Sequence, residues 1–544
     1  MPESVLQLDS RDNVLVALVP LEIGTVVRFG TTSCTVTQAI PPKHKMALVD
    51  FKPGDLVMMY GMVVGEATEP ILRGGLLSTR NIRHRIGNYS STRQPASFTL
   101  PDATPWAART FMGFHRADGQ VGTRNYWLVL PLVFCENRNV GRMKEALEEE
   151  LGYGSAHNSY RQHVRNLVEH KASGNGKGAA EIAHVSAERV FPNIDGIRFL
   201  THEGGCGGTR QDAQALCGLL AGYIHHPNVA GATVLSLGCQ NAQAAMLIDE
   251  LRARDPEMRK PVLIYDQQRS GRETALMTGA LDSTFEALLE ADKATRSPAP
   301  LSELTIGLQC GGSDGFSGIS ANPMLGYVSD LLGVLGGKTI LSEFPELHGV
   351  EQELVNRCET DELAERFSHL MQTYAARAKA VHSGFDFNPS PGNIRDGLIT
   401  DAIKSAGAAR KGGAAPIRGV LDYPEYVAAQ GLSLQCTPGN DVESVTAQVG
   451  AGSNLILFTT GLGTPTGNPV APVVKISTNS TLAERMADII DFDAGGIITG
   501  ESTIPACAEK LLDLCIEVAS GERRTKAEFL GQNDFIPWKR GVSL

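Results

Sequence analysis

Aromatic side chains are scarce in this chain, at 6% of 544 residues, whereas glycine is abundant at 58. That balance points away from large aromatic-lined sheets and toward α/β units joined by tight turns. Basic tracts are missing as well: 49 Lys and Arg stand against 60 Asp and Glu, a net charge of −11. A nucleic acid is therefore not an expected partner. No apolar run reaches the length that spans a bilayer, so no membrane partner is expected. The opening residues, MPESVLQLDSRDNV, are polar and acidic, unlike a secretory leader, and a cytoplasmic location is the expectation. Ten cysteines are scattered without CxxC pairs, which does not describe a disulfide framework. No GxGxxG turn opens a helix within a βαβ unit ahead of an acidic residue, and GxxxxGK[ST] is absent. Dinucleotide and P-loop nucleotide sites are thus unsupported.

A chain of this length divides into two to four domains. Residues 1–90 carry short apolar runs, such as Val14–Leu18 and Leu56–Tyr60, between turns at Gly24, Gly30, Pro41-Pro42 and Pro53-Gly54. This is the pattern of a small β-rich module of hairpins. Residues 91–110, rich in Ser, Thr and Pro, read as a linker. From Phe111 the texture becomes βα units, with a polar break near 292–302 that divides residues 111–298 from 299–544. The fold class expected is multidomain α/β, a β-rich module followed by two domains with largely parallel sheets. A polar, His-rich segment at 157–187 reads as a surface excursion.

One stretch organises the rest: Leu304–Gly326, LTIGLQCGGSDGFSGISANPMLG, an apolar strand that breaks into glycines and resumes as a helix. Such a turn exposes backbone N–H groups to an anion. Other strands end alike, in Cys135-Glu136-Asn137, in His202-Glu203-Gly204-Gly205-Cys206, in Gly238-Cys239-Gln240-Asn241 and in Ser342-Glu343-Phe344-Pro345-Glu346. Ligands of open α/β sheets sit outside the carboxyl ends of the strands. Four cysteines at four such ends, with imidazole and carboxylates beside them, suit a transition metal, and the amides and hydroxyls suit a polyhydroxylated anion.

The segments GFHRADGQVGTRN (113–125), LSLGCQNAQ (235–243), LQCGGSDGFSGISANPMLG (308–326), NPSPGN (388–393) and TTGLGTPTGNPVAPVVKISTN (459–479) resemble the altronate/galactarate dehydratase family. The N-terminal DNVLVAL and KHKMALVDFKPGDLVMMYG resemble that family's SAF-type, or β-clip, module. The resemblance implies a hydro-lyase acting on a sugar acid, foremost D-altronate going to 2-keto-3-deoxy-gluconate. It implies Fe2+ as the metal, with Mn2+ or another divalent ion as substitute, and a homo-oligomer, simplest as a dimer. Removing a proton beside a carboxylate and expelling hydroxide calls for a base, an acid and a cation to stabilise the enediolate. His44, His202, Glu343 and Glu346 are the candidates for proton transfer. The candidate metal ligands are Cys135, Cys206, Cys239, Cys310, His44 and His202. Ser313, Asp314, Asn322, Asn393, Asn440, Asp441 and Thr464 suit the hydroxyls, and Arg124, Asn125 and Lys475 the carboxylate end.

Two positions depart from the family pattern: Gln240 stands where Glu follows the Cys of LGC, and Leu462 where Arg is frequent. Loss of that Arg favours a monoacid over the diacid galactarate. The four thiols also leave open an iron–sulfur cluster with one iron exposed as Lewis acid. A sulfolactate sulfo-lyase and a non-catalytic sugar-acid-binding protein are the remaining alternatives.

Overall fold

The strand Val14–Ala17 is buried along its whole length because its two faces enter two different cores. Leu15 and Ala17 pack with Val27, Cys34, Ile40 and Met46 inside the N-terminal module. Val14 and Val16 point the other way, into a core shared with Phe316, Ile319 and Leu308 of the C-terminal domain. The period-two alternation of a strand makes this division automatic. The computed structural model describes residues 4–30, 32–95, 98–154, 161, 163–169 and 188–544. Most of the segment read as a surface excursion, 157–187, lies outside the described residues.

The N-terminal module holds an antiparallel sheet ordered Val5–Leu6, Val14–Ala17, Lys45–Ala47, Leu76–Leu77. In a second sheet Met62–Ala67 pairs with Leu56–Met59 on one side and Ile82–Arg83 on the other, and Val26–Phe29 forms a hairpin with Thr32–Thr35. The following segment runs along the C-terminal domain, where Arg93 pairs with Asp361 and donates to the carbonyls of Cys358 and Glu359.

The second domain is a parallel sheet ordered Gly196–Phe199, Tyr126–Pro131, Val229–Ser236, Val262–Asp266. All six residues of Tyr126–Pro131 are buried, as both faces of such a sheet carry helices. Arg124 and Asn125 precede this strand and so lie at its amino end, away from the ligand-binding edge. Arg124 forms a buried bidentate pair with Glu528 and donates to the Val518 carbonyl, and Asn125 ties the Asn193 and Ala291 carbonyls. Both are structural, a correction to their expected place on the substrate.

The C-terminal domain is a seven-stranded parallel sheet ordered Ile417–Leu421, Gly431–Gln435, Lys338–Leu341, Thr305–Cys310, Leu455–Thr460, Val473–Ser477, Phe492–Asp493. Its first strand, Thr305–Cys310, is central. The chain fills one side of it first, laying the edge strand Ile417–Leu421 before Gly431–Gln435 goes in between, and later the other, so a topological switch point lies between Thr305–Cys310 and Leu455–Thr460. No helix among the described residues is long and apolar enough to cross a membrane.

The two α/β domains meet where helix Arg210–His225 lies on helix Asp441–Gly450. A Cβ at Gly222 would stand 2.1 Å from the Gly450 carbonyl oxygen. Glycine in a helix ordinarily weakens it by about 1 kcal/mol relative to alanine, yet here it permits backbone contact. Gly222→Ala is expected to destabilise the protein by about 1–3 kcal/mol, read as a lower urea midpoint. An unchanged or higher midpoint would show that the helices are not held at this distance.

Candidate functional site

At the switch point the chain leaves Cys310 through glycines because side chains would not fit. A Cβ on Gly311 would meet Asp441 Oδ2 at 2.3 Å, and one on Gly315 would meet the Lys43 carbonyl at 2.6 Å. The loop is thereby pressed between the start of helix Asp441–Gly450 and the N-terminal module. Gly311 N donates to the Thr459 carbonyl and Gly461 N to that of Gly312, joining the loops of both central strands.

Around Cys310 lies a cluster of ionisable groups removed from water. Lys411 Nζ stands 2.9 Å from Cys310 Sγ and 2.8 Å from Glu343 Oε2. Glu343 Oε1 accepts from Gln309 Nε2 at 2.7 Å, and that amide also reaches Asp441 Oδ1 at 3.2 Å. Glu346 Oε1 takes Lys404 Nζ at 2.6 Å and Asn388 Nδ2 at 3.2 Å. Burial drives the Glu343 carboxyl up to about 7 against the pull of Lys411, and Asp441, beside Glu346, up to about 6. Burial also pushes the Cys310 thiol up to about 11, while Cys310, Glu343 and Glu346 together hold Lys411 protonated. Carboxyls raised toward neutrality can take and return a proton at physiological pH. Glu343 adopts a left-handed backbone, φ 68°, that a non-glycine residue holds only where surrounding structure enforces it.

Several expected residues brace this region. Asp314, fully buried, pairs with Lys43 Nζ at 2.9 Å and accepts from Ser317 and Thr478 hydroxyls. Asn393 Nδ2 donates to the Ser313 carbonyl at 2.7 Å. Asn322 spans from the Gly407 carbonyl to the Thr459 hydroxyl, Asn440 caps helix Asp441–Gly450, and half-buried Thr464 flanks the Gly312 turn. Both amide atoms of Asn322 are committed to protein partners, which corrects the expectation that it meets a ligand, whereas exposed Asn440 engages its Oδ1 in the cap. Lys475 is likewise committed: it sits inside a strand, its Nζ on Gln532 at 2.9 Å, with burial lowering it to about 8. Half-buried His44 turns Nδ1 to the Pro42 carbonyl at 3.1 Å, and burial lowers its pKa. Its neighbours carry the contacts instead, Lys43 on Asp314 and Asp396, and buried Lys45 on the Gly397 carbonyl at 2.6 Å.

A second set of strand ends lies in the second domain. Cys135, Cys206 and Cys239 follow three adjacent parallel strands and are all exposed. Their loops are bonded together: Phe134 N donates to the Gly204 carbonyl, and Asn241 N and Ala242 N to that of Gly205. Gln240 closes its loop by accepting from Gly238 N and donating to Ser236 Oγ and the Ala242 carbonyl. A carboxylate could not donate those bonds, so glutamine at 240 serves as a brace. Beside Cys206 opens a cavity of about 610 Å³ lined by Thr201, His202, Glu203, Asp212 and Trp538 among others. Its far wall belongs to the C-terminal domain, where Ile536 N donates to Thr446 Oγ1 and Trp538 N to the Tyr423 hydroxyl.

This cavity is not lined by Glu343, Asp441 or Glu346. The cavity's imidazole has no ring nitrogen to spare. His202 Nε2 is 2.8 Å from the Pro131 carbonyl and Nδ1 accepts from Gly204 N, and burial lowers it to about 4. His202 is thus fixed as a neutral brace, neither base nor ligand. The two places are structurally continuous: helix Asp441–Gly450 starts in the cluster and packs on helix Arg210–His225, whose first turn lines the cavity.

Metal ligation can be judged from the donors. Cys310, Glu343 and Glu346 offer atoms within 4.8 Å of one another. The Lys411 ammonium already holds the cation position between two of them, so this set does not fit a divalent ion. Cys135, Cys206 and Cys239 are exposed thiols, the soft donor type that iron–sulfur groups use, but their three sulfurs are not gathered within 4.8 Å of one another. Lys404 and Lys411 were not anticipated. Their signal was two lysines seven residues apart in the Ala- and Gly-rich DAIKSAGAARKGG, Lys404 within helix Asp401–Ala409 and Lys411 in the turn that follows it.

Comparison with known proteins agrees over the whole chain. Residues 3–85 match the altronate/galactarate dehydratase SAF domain, 113–292 the second domain of D-galactarate dehydratase/altronate hydrolase, and 301–543 the D-galactarate/altronate dehydratase C-terminal domain. An altronate dehydratase of Escherichia coli (strain K12) is 34% identical over 99% of each chain. One of Bacillus subtilis (strain 168) is 32% identical over 100% of each. A galactarate dehydratase (L-threo-forming) of Escherichia coli (strain K12) is 30% identical over 97% of this chain and 94% of that protein. With a tuned carboxylate cluster at the switch point and three domains matched in order, this chain belongs to the D-galactarate/altronate dehydratase family.

Proposed function

We propose that the protein is a hydro-lyase that removes water from a sugar monoacid, foremost D-altronate, giving 2-keto-3-deoxy-gluconate. The observation that carries this reading is the buried set of Glu343, Asp441 and Glu346 compensated by Lys411 and Lys404. Glu343 takes the proton from C2, the C–H electrons form the C2=C3 bond, and the C3–O bond breaks as Asp441 protonates the departing hydroxyl. The resulting enol becomes the 2-keto acid by proton return to C3. Lys404 and Lys411 supply the positive charge that an enediolate needs.

Cys135, Cys206 and Cys239 would be the residues to hold iron, and bound there it would supply a Lewis acid at the strand ends of the second domain. Preference for a monoacid rests on Leu462, half-buried at the Gly312 turn, which adds no cation for a second carboxylate. The names of the two altronate dehydratases above point the same way.

A panel of aldonates and aldarates, assayed anaerobically for 2-keto-3-deoxy acids, tests the substrate. D-Altronate is expected to give the highest kcat/KM, and a preference for galactarate would overturn the role given to Leu462. Glu343→Gln is expected to lower kcat/KM by roughly 100- to 10,000-fold with the fold intact. In the parent enzyme kcat/KM should follow a bell with its maximum between about 6 and about 7, rising as Glu343 loses its proton and falling as Asp441 loses the one it must donate. The shift at Glu343 makes the folded state bind more protons than the unfolded chain between 4.5 and about 7, so this group's contribution to stability falls as pH rises through that window. A flat rate profile across that range would remove Glu343 from the role of base.

A further inference from the structure

We propose that His84, His348 and Asp401 form a binding site for a borderline divalent cation of the Zn2+ or Co2+ type, clamping the N-terminal module to the C-terminal domain. One ligand atom from each of the three lies within 4.8 Å of the others. They come from segments remote in sequence. His84 follows the last strand of the N-terminal module, Ile82–Arg83; His348 ends the turn after Phe344–Leu347; Asp401 opens helix Asp401–Ala409.

Two features go beyond proximity. Asp401 is 1% exposed, whereas carboxylates gathered by chance are surface groups. His348 Nδ1 lies 2.9 Å from Glu351 Oε1, and Glu351 is itself buried and accepts from Gly349 N. A carboxylate accepts only, so His348 donates through Nδ1 and presents Nε2 as a lone pair. This is the carboxylate–imidazole arrangement that orients metal-bound histidines. The His84 and His348 rings stack with centroids 5.9 Å apart, which holds both imidazoles in place. Two imidazoles and one carboxylate suit a borderline ion, in contrast to the three soft thiols of the second domain.

The site adjoins the proton-transfer cluster without sharing a ligand with it. His348 is two residues beyond Glu346, and Asp401 is one helical turn before Lys404, its partner. The inference stands whichever sugar acid is turned over.

The test uses full-length protein stripped of metal, titrated with Zn2+ by calorimetry, with X-ray absorption reading the elements around the zinc. A site with nitrogen and oxygen ligands and one Zn2+ per chain is expected, distinct from any sulfur-ligated zinc at the thiols. Asp401→Asn and His84→Phe, the latter keeping a stacked ring, should each lower its affinity at least about 100-fold, and Glu351→Gln about 10- to 100-fold. Zn2+ should raise the thermal midpoint of the parent protein and leave that of His84→Phe unmoved. Zinc bound through sulfur alone, or a nitrogen–oxygen site unaffected by both ligand variants, overturns the proposal.

Discussion

Charges taken out of water must find partners, and this constraint shapes the C-terminal domain. Each buried ion costs several kcal/mol unless an opposite charge and hydrogen bonds meet it. Lys411 and Lys404 do so for Glu343 and Glu346, and Gln309 bridges Glu343 to Asp441. To bring the two ammonium groups to strand ends, helix Asp401–Ala409, which carries Lys404, and the turn after it, which carries Lys411, must approach closely, and the helix's Ala, Gly and Ser residues allow it. The glycines after Cys310 answer the same need from the other side. Once the pairs are in place, removing one partner would strand the other, so the cluster is specified as a unit.

The same constraint sets acidity. Pairing is incomplete in favour of burial, so Glu343 and Asp441 rise toward neutrality while Lys411 stays charged. The left-handed backbone of Glu343 adds a local cost that the enclosing core sustains, and it turns the carboxylate inward to Lys411. The second domain solves a different problem. Its thiols are exposed, and what is fixed there is the backbone of their loops, through Gln240 and His202.

Much of this was legible because short apolar runs ending in glycine mark strands and their direction. The positions of Cys135, Cys206, Cys239, Cys310 and Glu343 follow from that alone. Direction also explains a misreading, since Arg124 and Asn125 precede their strand and belong to its opposite end. Lys475 lies within a strand and faces Gln532, which a motif of letters does not reveal. At Lys43-His44-Lys45 residue type drew attention to the imidazole, but the reach of the lysine side chains decided which groups touch Asp314 and Gly397. The meeting of His84, His348 and Asp401 depends on how separate domains dock, which no local pattern encodes.

The strand Val14–Ala17 carries a consequence for how its own alignment is chosen. A half-buried strand is locked in register because a one-residue slip would turn its apolar face to water. Here both faces are apolar and both are covered, so a slip would exchange one core for the other with little loss of burial. Discrimination passes to polar neighbours. Asn13 accepts from Met58 N and donates to the Leu56 carbonyl, while Asp12 accepts from Gly61 N. Across the pairing, Lys45 spends its ammonium on two carbonyls of fixed position. The address of this strand is thus written in hydrogen bonds at its margins, and its hydrophobic letters could be permuted more freely than its polar ones.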